Sequence, residues 1–124
     1  MSNNPYIPFE AEVKKVQQET ALAQEVKRET QRTWQAYQQY AWGYDVLLPM
    51  SKSAENWYEK PLYISPIDAY STLKVMGLDT EAARIERYVA DSISFDKDIY
   101  VKVFEVNIRV LGGLLSMYQY TGNE

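Results

Sequence analysis

The chain has 124 residues, enough for one domain or part of one, and its 46% hydrophobic and 24% charged residues are typical of a globular chain. Its net charge of −4 argues against a nucleic-acid partner, which needs a basic surface. It contains no cysteine and no histidine, which excludes disulfides, thiolate chemistry, imidazole acid–base catalysis and most zinc sites within these residues.

The first part of the chain is predicted to be a short irregular segment followed by a long polar helix. Residues 1–9 contain Pro5 and Pro8 and carry no secretory signal. From about residue 10 to residue 42 the pattern is helical, but apolar positions are sparse at first, so residues 1–29 are assigned to a lead-in and polar arm. Gly43 suits the end of this helix. No apolar run in the chain is long enough to span a bilayer, and the sequence leaves the location of the protein undetermined.

Two shorter helices are predicted in the middle of the chain. Residues 44–64 show no sustained period and are predicted to be irregular, and loops of that length are usually functional or mobile. The second helix is expected to begin at an N-cap on Ser65, to carry Asp68 in its first turn, and to end at Gly77. A third helix is expected to open at residue 79 or 80.

The acidic residues do not form a recognisable metal motif. Residues 93–102 are predicted to be a connector, and its Asp96 and Asp98 have the opening spacing of a calcium-binding loop. The sixth position of that loop requires glycine but is Val101, and the twelfth position is not glutamate, so no metal site is predicted here. Asp68 in a first helical turn more often stabilises the helix dipole than binds a ligand, and the role of Asp45 is ambiguous.

The last helix, predicted over residues 104–122, carries the most informative pattern. At 100° per residue, about one third of its circumference collects polar residues and glycines: Glu105, Arg109, Gly112, Gly113, Ser116 and Gln119. The remaining two thirds are apolar apart from Asn107, so a helix packed on most sides is predicted. An exposed Glu–Arg pair contributes only about 0.2–0.5 kcal/mol, whereas each helical glycine costs about 1 kcal/mol relative to alanine. The glycine pair therefore favours a close backbone or ligand on this face over a merely solvated face.

Three segments in this order resemble the N-terminal part of glycoside hydrolase family 47, the class I α-1,2-mannosidases. They are Ala-Trp-Gly-x-Asp at 41–45, Ile-Asp-Ala at 67–69, and Phe-Glu-Val-Asn-Ile-Arg at 104–109, which runs into Leu-Gly-Gly-Leu-Leu-Ser at 111–116. The resemblance covers roughly residues 30–124, which are assigned to an N-terminal fragment of the family's catalytic domain. It implies an all-α fold, a partial barrel of the (α/α)7 type of which about four helices are present.

The resemblance also implies an activity and a set of site residues. The family hydrolyses terminal α-1,2-linked mannose of oligosaccharides with inversion and uses calcium, whose threonine ligand would lie beyond residue 124, as would the second catalytic carboxylate. Glu105 matches the proposed general acid, thought to act through a water, and Arg109 matches a residue of the sugar pocket. Asp45 and Asp68, which belong to the other two segments, are expected to bind substrate. The 124 residues alone are expected to be too incomplete for activity.

Two departures from the family pattern leave alternatives open. Tyr44 stands where members often have histidine, and Ser71 stands where they usually have a second acidic residue. The main interpretation is a fragment of a calcium-dependent inverting α-1,2-mannosidase. The alternatives are a degenerate member that binds mannose glycans without cleaving them, and a short helical interaction module; the oligomeric state is undetermined.

Overall fold

The computed structural model describes residues 9–123, with side chains from residue 14 onward except at residue 16. The lead-in predicted around Pro5 and Pro8 lies outside the described residues, while Phe9 already belongs to a helix. The chain divides into two compact units between Trp34 and Gln35. Among the described residues, no helix combines the length and apolarity needed to cross a membrane.

The long first helix, α1, runs from Phe9 to Tyr40. In the first unit its apolar side chains at Leu22 and Val26 are more than half exposed. α1 ends two residues earlier than expected, and Gly43 follows in a turn with φ of +91°, a conformation that favours glycine.

A small hairpin interrupts the segment predicted to be irregular. Strand β1 (Val46–Leu48) pairs antiparallel with strand β2 (Ser53–Glu55), with Val46 opposite Glu55 and Leu48 opposite Ser53. Three-residue strands are too short to show an alternating period, which is why the sequence pattern missed them.

Helix α2 extends from Ile64 to Val75, so the expected N-cap at Ser65 is wrong. Tyr63 occupies the cap position with φ of +60°, and the Ser65 hydroxyl donates to the Asp45 carbonyl oxygen at 2.6 Å instead of capping the helix. Asp68 consequently lies beyond the first turn. The predicted end is confirmed: the Gly77 and Leu78 amides bond back into the last turn of α2, as in a Schellman motif.

Helix α3 (Asp79–Ser92) begins where it was predicted, and residues 93–102 have no helix or strand, as expected of a connector. Helices α2 and α3 pack against each other in the second unit. Tyr70 and Ile85 are fully buried there, and the Tyr70 hydroxyl donates to Glu86 Oε1 at 2.6 Å. Burial and this carboxylate raise the pKa of Tyr70, so the phenol stays protonated.

The last helix is continuous over residues 103–121 and is called the C-terminal helix below. It consists of an α-helical turn, α4 (Val103–Glu105), a π-helical segment (Val106–Leu111) and helix α5 (Gly112–Thr121). Helices dominate the described residues, which confirms the all-α prediction; the two short strands are the exception.

The expected packing of the C-terminal helix is only partly correct. Val110 and Met117 are buried, but a row of apolar side chains is 45–69% exposed: Phe104, Ile108, Leu111, Leu115 and Tyr118. We call this row the apolar stripe. Periodicity identifies which side chains are apolar but not which elements cover them, so the prediction of a helix packed on most sides was wrong for this row.

Candidate functional site

Arg109 bonds to two of the other three side chains that the sequence singled out. Its Nε donates a hydrogen bond to Glu105 Oε2 at 2.7 Å, one turn earlier on the C-terminal helix. Its Nη1 donates to Asp68 Oδ2 at 2.9 Å, across to α2. The structure therefore brings Glu105, Arg109 and Asp68 into one cluster, called the arginine cluster below, whereas their catalytic and binding roles stay predictions.

The arginine cluster is partly open to solvent. The side chains of Arg109, Glu105 and Asp68 are 34%, 28% and 41% exposed, so a ligand can reach all three. The hydrogen bond that Arg109 donates to Glu105 raises the pKa of Arg109 most, and the one to Asp68 raises it further, so the side chain remains a guanidinium cation. Two carboxylates around one cation leave a surplus negative charge, which suits a neutral polar ligand better than an anion.

The backbone that carries Arg109 is a π-helical segment. Residues 106–111 make i→i+5 hydrogen bonds in place of the α-helical pattern, and Glu105 lies directly before this segment. Such segments inside α-helices occur frequently at functional sites. The sequence contains no signal that would have predicted it.

The site has a fourth member, Trp57, in addition to the three residues of the arginine cluster. Sequence reasoning missed it. The Arg109 guanidinium carbon lies 5.2 Å from the centre of the Trp57 ring, within the range of a cation–π contact. Trp57 follows β2 in the segment predicted to be irregular, and the residue is 42% exposed. The only available signal was the presence of a tryptophan in a long loop.

Asp45 does not join the arginine cluster, because it is fully buried. Its Oδ1 accepts backbone hydrogen bonds from Leu62 and Ile64 at 2.8 and 3.3 Å, and its Oδ2 accepts one from Trp57 at 3.0 Å. A buried carboxylate that is satisfied by three backbone donors holds a loop in place. Its expected contact with substrate stays a prediction, and the geometry favours a structural role.

An open cleft adjoins the arginine cluster on the side of Glu105. It has a volume of about 420 Å³. Its walls come from the end of β2 and the loop that follows, and from the residues at and just before the start of the C-terminal helix: Glu55, Asn56, Trp57, Tyr58, Lys102 and Glu105. The Lys102 amide donates to the Tyr58 hydroxyl at 3.3 Å and joins these two walls.

The two adjacent glycines on the polar face of the C-terminal helix have different surroundings. A Cβ on Gly113 would lie 2.6 Å from both Cγ2 and the carbonyl oxygen of Ile67, so the α2 backbone is the close neighbour that the pair implied. A Cβ on Gly112 would meet only the Asn107 carbonyl oxygen, at an ordinary 3.6 Å. Glu105, at one end of the polar face, lines the cleft described above, while Gly113 serves helix packing.

The described residues do not fit a calcium site. No group of three or more acidic side chains among them is arranged to hold a metal ion, and the carboxylates of Glu105 and Asp68 already share Arg109. Calcium prefers six to eight oxygen ligands, and a guanidinium at the centre of the cluster opposes a second cation.

Comparison with known proteins gives a consistent result. The sequence model of the family described as glycosyl hydrolase family 47 matches residues 29–124. The chain is 40% identical over 90 residues to an endoplasmic reticulum mannosyl-oligosaccharide 1,2-alpha-mannosidase of Mus musculus, covering 73% of this chain and 13% of that protein. A mannosyl-oligosaccharide 1,2-alpha-mannosidase of Arabidopsis thaliana is 40% identical over 101 residues, covering 82% and 18%. One of Candida albicans is 35% identical over 100 residues, covering 81% and 18%. The chain therefore spans less than a fifth of the length of these relatives.

Proposed function

Because the chain belongs to glycosyl hydrolase family 47, we propose that it supplies the general-acid side of an active site that hydrolyses terminal α-1,2-linked mannose from mannose-containing oligosaccharides. The observation that carries the proposal is the arginine cluster: the family-like segment at 104–109 places Glu105 at an open cleft and fixes it through Arg109. The relatives' names support the substrate class, since each is a 1,2-alpha-mannosidase.

The geometry of Glu105 suits proton donation. An inverting glycosidase uses one protonated carboxyl group to assist the leaving oxygen and a second carboxylate to activate water on the opposite face of the sugar. Arg109 Nε occupies Glu105 Oε2, which leaves Oε1 as the oxygen that transfers a proton, directly or through a water, to the glycosidic oxygen in the reaction. Asp68 holds the other side of the guanidinium, so the carboxyl group of Glu105 is oriented before the substrate binds.

The other parts of the reaction are assigned to no described residue. The resemblance implies a second carboxylate and calcium from the remainder of a family domain, and this chain covers only 13–18% of the length of its relatives. Since the described residues do not fit calcium, none of the steps proposed for Glu105, Arg109 and Asp68 passes through a metal ion.

A chimaera tests this proposal. The matched segment of the Mus musculus relative is replaced by residues 35–122 of this chain, and mannose release from α-1,2-mannobiose is measured. We expect an active chimaera in which Glu105→Gln lowers turnover by at least about a hundredfold, the usual contribution of a general acid, while sugar binding is retained. Glu59→Gln, at an exposed glutamate of the neighbouring loop, is the matched control and should leave turnover unchanged.

Two results would contradict the proposal. Full turnover of the Glu105→Gln chimaera would remove Glu105 from the mechanism. A folded but inactive chimaera with Glu105 intact would show that this segment does not support hydrolysis. Sequencing the coding DNA past the codon for Glu124 shows independently whether further helical pairs follow.

Binding of mannose glycans without hydrolysis is the second candidate. Ser71 lies on α2 three residues after Asp68, so it is close to the arginine cluster along the helix, and it cannot supply the charge of the acidic residue that family members usually have there. A chimaera that binds α-1,2-mannobiose but releases no mannose, and that gains turnover with Ser71→Asp, would favour this candidate.

A further inference from the structure

Lys97 lies in the connector before the C-terminal helix and is partly buried, although Asp96 and Asp98 on either side of it are exposed. Its Nζ donates to the carbonyl oxygen of Pro61 and, at 3.4 Å, to the Tyr63 hydroxyl. The same ammonium lies 4.5 Å from the centre of the Tyr63 ring, within the range of a cation–π contact. Because a long lysine side chain loses rotamer entropy when it is held, these contacts must offset that loss. Lys97 therefore joins the connector to the chain segment before α2.

The Tyr63 ring is itself held by a row of packed side chains, called the aromatic row below. The Tyr63 and Tyr88 rings are nearly perpendicular with centres 5.7 Å apart, and the Tyr88 ring packs against Trp42 at 4.9 Å. The Arg84 guanidinium carbon lies 4.0 Å from the centre of the Trp42 ring. Tyr63 also has φ of +60°, a conformation that a bulky residue adopts only where its surroundings hold it. The aromatic row thus gives Lys97 a partner of defined position.

A second contact joins the same two segments five residues further along the chain. The Lys102 amide donates to the Tyr58 hydroxyl at 3.3 Å, and the Lys102 carbonyl oxygen accepts the Val106 amide at 3.1 Å, inside the C-terminal helix. The connector is therefore held against residues 56–63 at two points, Lys97 and Lys102. Two fixed points in a short segment determine both its position and its direction, so they determine where the C-terminal helix begins.

The position of Glu105 depends on the start of this helix, since Glu105 lies in the first turn, three residues after Lys102. Its cleft is formed on both sides of the same junction, because Trp57 comes from the loop and Lys102 from the connector. Arg109 orients the carboxylate but moves with the same helix. A displacement of about 1 Å at a reacting group can lower a rate by about a hundredfold. The contacts of Lys97 oppose such a displacement.

We propose that Lys97 is a positioning residue: its ammonium, held by the Pro61 carbonyl oxygen and the aromatic row, clamps the connector to the loop after β2 and thereby sets the position of Glu105 in the cleft. The inference rests on the proposed function for the role of Glu105, whereas the clamp itself does not depend on it. Lys97 is not among the residues that line the cleft, so it acts through Glu105.

The first test measures amide hydrogen exchange in the 124-residue chain itself. Lys97→Met keeps an unbranched side chain but removes the ammonium, so exchange at the Lys102 and Val106 amides should accelerate by at least about tenfold. Lys97→Arg retains a cation with hydrogen-bond donors and should remain within about twofold of the unmodified chain. Lys60→Met, at an exposed lysine of the same loop, is the matched control and should change neither amide.

The Leu78 amide, which bonds to the Leu73 carbonyl oxygen at the end of α2, is the internal reference. Its exchange should be the same in Lys97→Met and in the unmodified chain. Unchanged exchange at Lys102 and Val106 would overturn the proposal, and so would an equal acceleration at Leu78, which reports general destabilisation.

The second test uses the chimaera described under the proposed function. Lys97→Met is expected to lower kcat by about five- to twentyfold and to change KM by less than about twofold, because the proton donor is displaced while the sugar contacts remain. Lys97→Arg should restore most of kcat. In a Glu105→Gln background, Lys97→Met should have no further effect, since a residue that acts through Glu105 then has nothing to position. Equal losses of kcat in both backgrounds would show a merely structural role and contradict the proposal.

The failure of this inference is distinguishable from the failure of the proposed function. If Glu105→Gln lowers turnover and Lys97→Met does not, the positioning role is wrong and the proposed function stands. If Glu105→Gln is silent, the proposed function is wrong, and the exchange data alone decide whether Lys97 clamps the connector. If Lys97→Met does not fold, as circular dichroism would show, Lys97→Gln takes its place; it lacks the charge but can donate to the Pro61 carbonyl oxygen. Unchanged exchange at Lys102 in that variant would overturn the clamp.

Discussion

At the scale of single residues, the site is organised by charges that hold other groups in place. Arg109 is fixed by carboxylates from two different helices, and Asp45 is fixed by two amides of one loop and by the first amide of α2. The two arrangements meet at Trp57, whose amide bonds to Asp45 and whose ring contacts Arg109. Trp57 thus links the loop after β2 to the C-terminal helix, in addition to the hydrogen bond between the Lys102 amide and the Tyr58 hydroxyl.

Asp45→Asn is expected to destabilise the chain by about 1.5–3 kcal/mol, because hydrogen bonds to a charged group are lost and the new amide NH₂ faces backbone N–H donors. The measurement is urea unfolding followed by circular dichroism. Asp98→Asn, at an exposed aspartate of the connector, is the matched control and should remain within about 0.5 kcal/mol of the unmodified chain. Equal stability of the two variants would contradict the role assigned to Asp45.

At the scale of elements, the second unit is held together where the C-terminal helix crosses α2. Gly113 allows the helix to approach the backbone of Ile67, and Val110 adds to the buried cluster formed by Leu62, Ile64 and Ile67. The same crossing brings Arg109 within reach of Asp68. Close packing at Gly113 is therefore a condition for the arginine cluster.

The two adjacent glycines are expected to respond to alanine with opposite signs. Gly113→Ala places a Cβ 2.6 Å from the Ile67 carbonyl oxygen, so the helices must separate and the chain should lose about 1–3 kcal/mol, the usual cost of overpacking. Gly112→Ala meets only an ordinary contact and should gain about 0.5–1 kcal/mol, because alanine is the better helix former. Thermal unfolding of both variants checks the pair, and destabilisation by Gly112→Ala would contradict the packing described.

Helices and helix ends could be predicted from the sequence where periodicity or a capping glycine determines them. The helices of the second unit follow from periodicity, and the end of α2 follows from Gly77, whose positive φ completes the cap. The hairpin, the left-handed cap at Tyr63 and the π-helical segment depend on tertiary contacts and left no such signal. For the site, helical spacing paired Glu105 with Arg109, but only the fold could show that Asp68 joins them.

At the scale of the whole molecule, the described chain buries one face of the C-terminal helix and leaves the apolar stripe exposed. A groove of about 470 Å³ lies along part of this stripe, and its walls include Val89 of α3 and Leu114 and Leu115 of α5. The apolar stripe differs from single exposed residues such as Leu22, because its neighbouring apolar side chains form a patch to which apolar molecules can bind.

The apolar stripe is expected to bind a dye that fluoresces on hydrophobic surfaces. Anilinonaphthalene sulfonate should gain fluorescence with the folded chain, and Leu115→Gln should lower this gain because it places a polar amide in the wall of the groove. Leu115 is 54% exposed, so the substitution should change the free energy of unfolding by no more than about 0.5–1 kcal/mol. Leu22→Gln removes a leucine that is 62% exposed and lies outside the groove, and it should leave dye binding unchanged. If both variants lower the fluorescence equally, the dye reports general exposure and the groove is not the binding surface.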